Sequence, residues 1–152
     1  MTRFLEFVAA LDPKFDCPSS KTLRTKIMPE VFAKVNDHVQ TIVRESPFEW
    51  CSMTTDIWTS ASQDSYISLT MHYLDQNFQQ KMVVLACMPF EEDHDAANVI
   101  GKIEQKLSEF TTLAEKLHVF VRDNAANMIA AFNLSDYNDV GCFIHILQVI
   151  IN

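Results

Sequence analysis

The chain has 152 residues, of which 48% are hydrophobic and 21% are charged. This composition is typical of a globular domain with a buried core and excludes a disordered chain. With only 2 glycines, a Gly-rich phosphate-binding loop is poorly supported. The formal net charge of −8 argues against a stand-alone nucleic-acid-binding protein, whose surface is normally basic. An acidic catalytic module that takes its DNA affinity from other domains stays open.

The first 45 residues are predicted to form helices. Phe4, Phe7 and Val8 recur at one-turn spacing before Asp12-Pro13 interrupts the pattern. Pro29 is predicted to open a further helix, because proline is accepted in a first helical turn. We expect this helix to bury one apolar stripe: Phe32, Val35, Val39 and Ile42 or Val43.

The pattern changes to that of β-strands after Ser46-Pro47. Alternating apolar and polar residues predict strands at 53–57 and 66–73, and an apolar run predicts a third strand at 81–88. The connections between them are short and polar. The sequence therefore predicts an antiparallel meander of three strands.

A helical pattern returns after the third strand. Asp93 or Asp95 is predicted to cap a helix with a buried apolar face: Val99, Ile100, Ile103, Leu107 and Phe110. The following segments are predicted in turn as a strand at 118–121, a helix at 125–132, a strand at 140–144 and an apolar element from Ile146. The predicted fold class is α/β, with a mixed sheet in the order β-β-β-α-β-α-β and helices on its faces.

Two aspartates are the chief candidates for chemistry. Asp56 is predicted to lie within the first strand and Asp123 at the exit of the strand at 118–121. A carboxylate in a mostly apolar strand is costly to bury, and a divalent cation shared by two carboxylates would compensate their charge. Oxygen ligands suit Mg²⁺ or Mn²⁺. The alternative is structural: Asp56 bonds a neighbouring strand end and Asp123 caps the next helix.

The 4 cysteines are Cys17, Cys51, Cys87 and Cys142, and no two of them form a Cys-x-x-Cys pair. Neither a zinc finger nor a disulfide framework is predicted from this spacing. The N-terminus lacks the pattern of a secretory signal, and the apolar runs are too short to cross a bilayer. We expect a soluble intracellular protein without membrane association.

Several blocks of the sequence carry a resemblance to a known family. The blocks are Thr54–Ser60, Tyr66–Tyr73, Arg122–Met128 and Cys142–Gln148, with two upstream segments at 11–15 and 18–23. In this order they resemble the hAT transposase family and its domesticated relatives, the BED-type zinc-finger proteins. The resemblance covers most of residues 11–152.

The resemblance implies an incomplete ribonuclease-H-like domain at residues 47–152, preceded by a helical segment at 1–46. Asp56 and Asp123 match the first and second catalytic aspartates of the family, and they imply a Mg²⁺ or Mn²⁺ site. The third ligand of the family, a glutamate, lies well downstream of these blocks. We therefore expect a truncated domain that is inactive alone. The resemblance also places His145 near the scissile phosphate as a supporting catalytic group.

DNA is the partner that the resemblance implies, and the nucleus is the location. The alternative is a domesticated, non-catalytic regulatory protein that binds protein partners or forms a homo-oligomer.

Four residues in or near these blocks each have two possible interpretations. Trp58 either stacks on an extruded base or packs in the core or at an edge, and Arg122 either contacts a phosphate or forms a surface ion pair. Cys142 and His145 are either two zinc ligands or locally packed residues.

Overall fold

The computed structural model describes residues 2–151. The helices are α1 (Thr2–Leu11), α2 (Ser20–Thr22), α3 (Met28–Glu45), α4 (Ala96–Leu107), α5 (Leu113–Lys116), α6 (Ala126–Asn133) and α7 (Phe143–Ile151). The strands are β1 (Cys51–Thr59), β2 (Ser65–Leu74), β3 (Gln80–Pro89), β4 (Leu117–Arg122) and β5 (Asp139–Gly141). The chain divides into two compact units between His38 and Val39.

The backbone is helical without a break from α2 to α3. A π-helical turn at Leu23–Ile27 joins the two helices, so Pro29 follows a wide turn instead of opening a separate helix. The wide turn suits proline, which has no N–H and whose ring would meet the carbonyl of Thr25 in a regular α-helix.

The predicted buried stripe of α3 is wrong for its first half. Phe32 and Val35 are 71% and 54% exposed, whereas Val39 and Val43 are buried. The periodicity identifies the apolar face of α3 correctly. It does not indicate how much of that face is covered, and the hydrophobic core takes in only Val39 and Val43 from this helix.

A five-stranded mixed sheet forms the centre of the second unit, in the order β3-β2-β1-β4-β5. β1 and β3 pair antiparallel to β2, and β4 pairs parallel to β1 and to β5. Helices α4 and α5 connect β3 to β4, and α6 connects β4 to β5. The predicted α/β class and the ribonuclease-H-like order β-β-β-α-β-α-β are therefore confirmed.

The core lies on one face of this sheet. Alternation along β1 buries Cys51, Met53 and Thr55, and along β2 it buries Ile67 and Leu69. Apolar residues from two helices join the same core: Val99, Ile100, Ile103 and Leu107 of α4, and Met128, Ala131 and Phe132 of α6. The opposite face carries the alternate residues of each strand, and these are half-buried or exposed.

The last predicted strand is shorter than the apolar pattern indicated. β5 ends at Gly141, and Phe143 and Ile144 belong to α7. The change occurs at Cys142, whose N–H donates to the carbonyl of Arg122 while its own carbonyl accepts from Ile146 N–H. An apolar run alone does not distinguish a strand from a buried helix. No helix within residues 2–151 is both long enough and apolar enough to cross a membrane.

Candidate active site

Asp56 lies in β1 on the face of the sheet that is turned away from the core. Its neighbours Thr55 and Ile57 point to the core side, and Asp56 itself is exposed. Its Oδ1 accepts a local hydrogen bond of 2.9 Å from Ile57 N–H. The expectation that this carboxylate suffers from burial is therefore wrong, because alternation places it in solvent.

Asp123 follows the last residue of β4, next to the strand that carries Asp56. The parallel pairing of β1 and β4 sets Thr54 beside Val121, so the aspartates stand two residues further along each strand. Asp123 is half-buried, and its Oδ1 accepts from Ala125 N–H at 3.0 Å. Ala125 is the N-cap residue of α6. The structural interpretation thus describes part of what Asp123 does, since it fastens the turn into this helix.

The three sequence-predicted site residues Asp56, Asp123 and His145 line one cavity. His145 is half-buried and comes from the first turn of α7. The cavity has a volume of about 270 Å³ and is lined by Thr54, Thr55, Asp56, Val121, Arg122, Asp123, Cys142, Ile144, His145 and Gln148. Within residues 2–151, neither of the two carboxylates forms a salt bridge. Two carboxylates without an ion-pair partner therefore line one cavity.

Two residues that line this cavity carry a buried polar atom without a partner. Thr55 Oγ1 and Arg122 Nε are the two buried side-chain polar atoms without a hydrogen-bond partner in the described part of the chain. Both residues line the cavity. Thr55 points to the core side of the sheet and the guanidinium of Arg122 is paired with Asp139, so neither atom is evidence of a molecule bound in the cavity.

Arg122 is not a free phosphate ligand, and its ion pair is not with the adjacent aspartate. Its guanidinium forms a salt bridge with Asp139 of β5, and its side chain is only 11% exposed. A second nitrogen donates to the carbonyl of Asp123 at 3.0 Å. Arg122 therefore fixes the backbone at the exit of β4, which holds Asp123 in place.

The donor set of the cavity fits a hard divalent cation in part. Mg²⁺ commonly uses one or two protein carboxylates and fills its other positions with water and phosphate oxygens. Asp56 and Asp123 supply such a pair. Among residues 2–151, no group of three or more His, Cys, Asp or Glu side chains is arranged to hold a metal ion. A structural zinc site at Cys142 and His145 would need two further ligands.

Four further polar residues, two of them asparagines, lie near the candidate site. Asn124 does not cap α6: its amide donates to the carbonyl of Cys142 at 3.3 Å. Asn127 uses its amide to tie α6 to the carbonyl of His94. Thr54 and Gln148 line the cavity without having been predicted, although the alternation of β1 puts Thr54 on the same face as Asp56.

Comparison with known proteins identifies the family. The family model described as the ZBED1 RNase-like domain matches residues 54–140, which include both aspartates and all five strands except the first residues of β1 and the last of β5. The chain belongs to this family. The resemblance to hAT transposases and to BED-type zinc-finger proteins is therefore confirmed.

Curated relatives agree with this assignment. The chain is 24% identical to "Zinc finger BED domain-containing protein 6" of Mus musculus, with 98% of the chain and 16% of that protein covered. It is 27% identical to "Putative AC transposase" of Zea mays, with 94% of the chain and 18% of that protein covered. A solved structure, the catalytic domain of human Endonuclease V, matches 70% of the chain and 48% of its own with 12% identity and a TM-score of 0.30. The chain thus spans less than a fifth of the length of the first two relatives.

Proposed function

We propose that this chain supplies two carboxylates of a divalent-metal site in a ribonuclease-H-like domain that acts on DNA. The observation that carries the proposal is the cavity that both Asp56 and Asp123 line, with neither carboxylate in a salt bridge. A transposase among the relatives supports DNA as the substrate class. By the same relation we propose a nuclear location. The division into a helical segment at 1–46 and the catalytic-type domain at 47–152 also stays a proposal.

The residues of the cavity divide the work as follows. In Asp56 and Asp123, Oδ1 accepts a local backbone hydrogen bond. The other carboxylate oxygen of each residue would bind Mg²⁺ or Mn²⁺. The bound cation would polarise the scissile phosphodiester and lower the pKa of an attacking water. His145 is proposed to donate an N–H to a phosphate oxygen. Arg122, through its bond to the Asp123 carbonyl, keeps the second carboxylate at the strand exit.

This chain is expected to bind the cation without cleaving DNA efficiently. Among its described residues the cavity contains no third acidic side chain, so the cation would be held by two ligands. The resemblance to hAT transposases implies a third carboxylate, a glutamate, that would complete such a site. Mg²⁺-dependent cleavage by the purified chain that disappears in Asp56→Ala would contradict this expectation.

Metal titration tests the proposal directly. Calorimetry with Mn²⁺ should show weak binding to the chain, and Asp56→Asn or Asp123→Asn should reduce it by about tenfold or more, since each removes one of two charged ligands. Asp136→Asn is the matched control, because Asp136 is exposed and lies outside the cavity. Equal binding by all three variants would contradict the proposal.

A non-catalytic role is the second candidate, and the charge of the chain favours it. A net charge of −8 opposes phosphate contacts. Phe32 of α3 and Ile150 of α7 are among the exposed apolar side chains that a protein partner would cover. One relative is named "Putative transcriptional regulator tpeD". The salt dependence of DNA binding separates the two candidates, because phosphate contacts give a steep slope.

A further inference from the structure

The open face of the sheet carries an aromatic pair that the proposed metal site does not use. Trp58 of β1 and Tyr66 of β2 are cross-strand partners, and their rings stack with centroids 5.8 Å apart and planes 21° apart. Trp58 is 39% exposed and Tyr66 is half-buried. Neither side chain belongs to the hydrophobic core, which lies on the other face. The pair is therefore an accessible flat aromatic surface, which contradicts a core position for Trp58.

The aromatic pair lies on the same face of the sheet as Asp56. Asp56 and Trp58 are two residues apart on one strand, with Ile57 turned to the core between them. Two residues of a strand span about 7 Å. The aromatic pair and the proposed metal site thus stand side by side on one face, at a separation that one nucleotide can bridge between its phosphate and its base.

Two stacked aromatic rings favour an unpaired nucleobase as their ligand. An unpaired base stacks on an aromatic ring whatever its sequence, and this contact needs no basic side chain. The base is the uncharged part of a nucleic acid, so stacking remains available to a chain with a net charge of −8. Half-buried Ser68, the cross-strand partner of Asp56, adds a hydroxyl on the same face.

We propose that Trp58 and Tyr66 bind an unpaired nucleobase of single-stranded DNA next to the phosphate that the carboxylate site would hold. This inference rests on the proposed function, since that function supplies the DNA strand. Trp58 is the main contact because it is the more exposed ring, and Tyr66 stacks against Trp58. Base binding here is predicted to change little with salt, unlike a phosphate contact.

The test uses the full chain and a short oligodeoxythymidylate with one 2-aminopurine at its centre, in EDTA. Stacking on Trp58 should quench the 2-aminopurine fluorescence. Trp58→Ala should abolish the quenching and weaken binding by roughly 5- to 150-fold, the range for one stacked base. Trp58→Phe should keep most of both effects. Trp50→Ala is the matched control, because Trp50 lies beside the opposite end of β1 and is 63% exposed.

A double-mutant cycle separates base binding from a structural effect of the substitution. An oligonucleotide that is abasic at its centre should bind the wild-type chain as weakly as Trp58→Ala binds the intact one, and the two losses should not add. Equal loss of binding in Trp58→Ala and Trp50→Ala would overturn the inference. Strong binding of the abasic oligonucleotide to the wild-type chain would overturn it as well.

Failure of the base-binding site can be distinguished from failure of the metal site. Trp58-dependent quenching that persists in Asp56→Asn and in EDTA supports base binding even where Mn²⁺ titration shows no binding to the carboxylates. Normal Mn²⁺ binding without any Trp58-dependent quenching overturns the base site alone.

Discussion

The two glycines of the chain occupy opposite environments. A Cβ added to Gly141 would lie 2.2 Å from Asn124 Oδ1, whereas a Cβ added to Gly101 would meet nothing within 4 Å. Gly141 ends β5 next to Cys142, which lines the candidate-site cavity, and Gly101 lies exposed within α4. At one position the missing side chain makes room for a neighbour, and at the other it only weakens a helix.

Substitution of each glycine by alanine should therefore change stability in opposite directions. Gly141→Ala should lower the free energy of unfolding by about 1–3 kcal/mol, because Asn124 must move and lose its bond to the Cys142 carbonyl. Gly101→Ala should raise it by about 0.5–1 kcal/mol. Urea denaturation measures both. Recovery of stability in Gly141→Ala/Asn124→Ala would identify the clash as the cause, and two equal effects of the single variants would contradict this account.

Cys51 should make the stability of the chain depend on alkaline pH. Burial raises the pKa of the Cys51 thiol to about 11, with Lys116 opposing the shift. In the unfolded chain this thiol ionises near pH 8.5. Between these values the unfolded state releases the proton and the folded state keeps it, so the free energy of unfolding should fall as pH rises from about 8.5 to about 11. Urea denaturation at several pH values measures this decrease. Cys51→Ala should remove the decrease in unfolding free energy between these pH values. Cys87→Ala, which changes an exposed cysteine, should not alter it.

At the scale of secondary-structure elements, a side-chain cap fixes the start of α4, for which the sequence offered two candidate residues. Asp95, not Asp93, is the N-cap of α4, and its Oδ1 accepts from Asn98 N–H at 2.8 Å. Asp93 contributes only its backbone carbonyl, which accepts from the Asn98 amide. Asp95→Ala should cost about 1 kcal/mol of unfolding free energy by thermal or urea denaturation. Asp93→Ala should cost much less, and equal losses would contradict the assignment.

Elements whose boundaries follow from local chemistry were predictable from the sequence. The alternation of β1 and β2 and the apolar face of α4 depend on periodicity, and periodicity is read from one chain. The exposure of Phe32 on α3 and the early end of β5 were not predictable. Both depend on what the rest of the molecule places against these segments, which a local pattern does not contain.

For the whole molecule, the apolar surface of α7 predicts self-association. Phe143, Ile144, Ile150 and Ile151 are exposed on this helix. Large contiguous apolar patches on a soluble chain tend to associate. Light scattering should show size increasing with concentration, and Phe143→Lys/Ile150→Lys should reduce it without lowering the melting temperature. Leu134→Lys, at an exposed residue after α6, is the control. A wild-type chain that stays monodisperse at high concentration would contradict the prediction.

The candidate site was predictable as a set of residues but not as an environment. Spacing and resemblance singled out Asp56, Asp123 and His145, and the fold brings all three to one cavity. The solvent exposure of Asp56 and the pairing of Arg122 with Asp139 required the three-dimensional arrangement of β1, β4 and β5. Strand alternation alone does not reveal which face of a sheet the helices cover.

The central claim is that Asp56 and Asp123 hold one divalent cation between them, and Mn²⁺-induced broadening of backbone amide NMR signals tests it most directly. Low Mn²⁺ concentrations should broaden the signals of residues 54–57, 121–124 and 142–146 first, and Asp56→Asn/Asp123→Asn should remove this selectivity. Broadening centred elsewhere, for example on the acidic segment at 91–95, or broadening that is unchanged in the double variant, would contradict the claim.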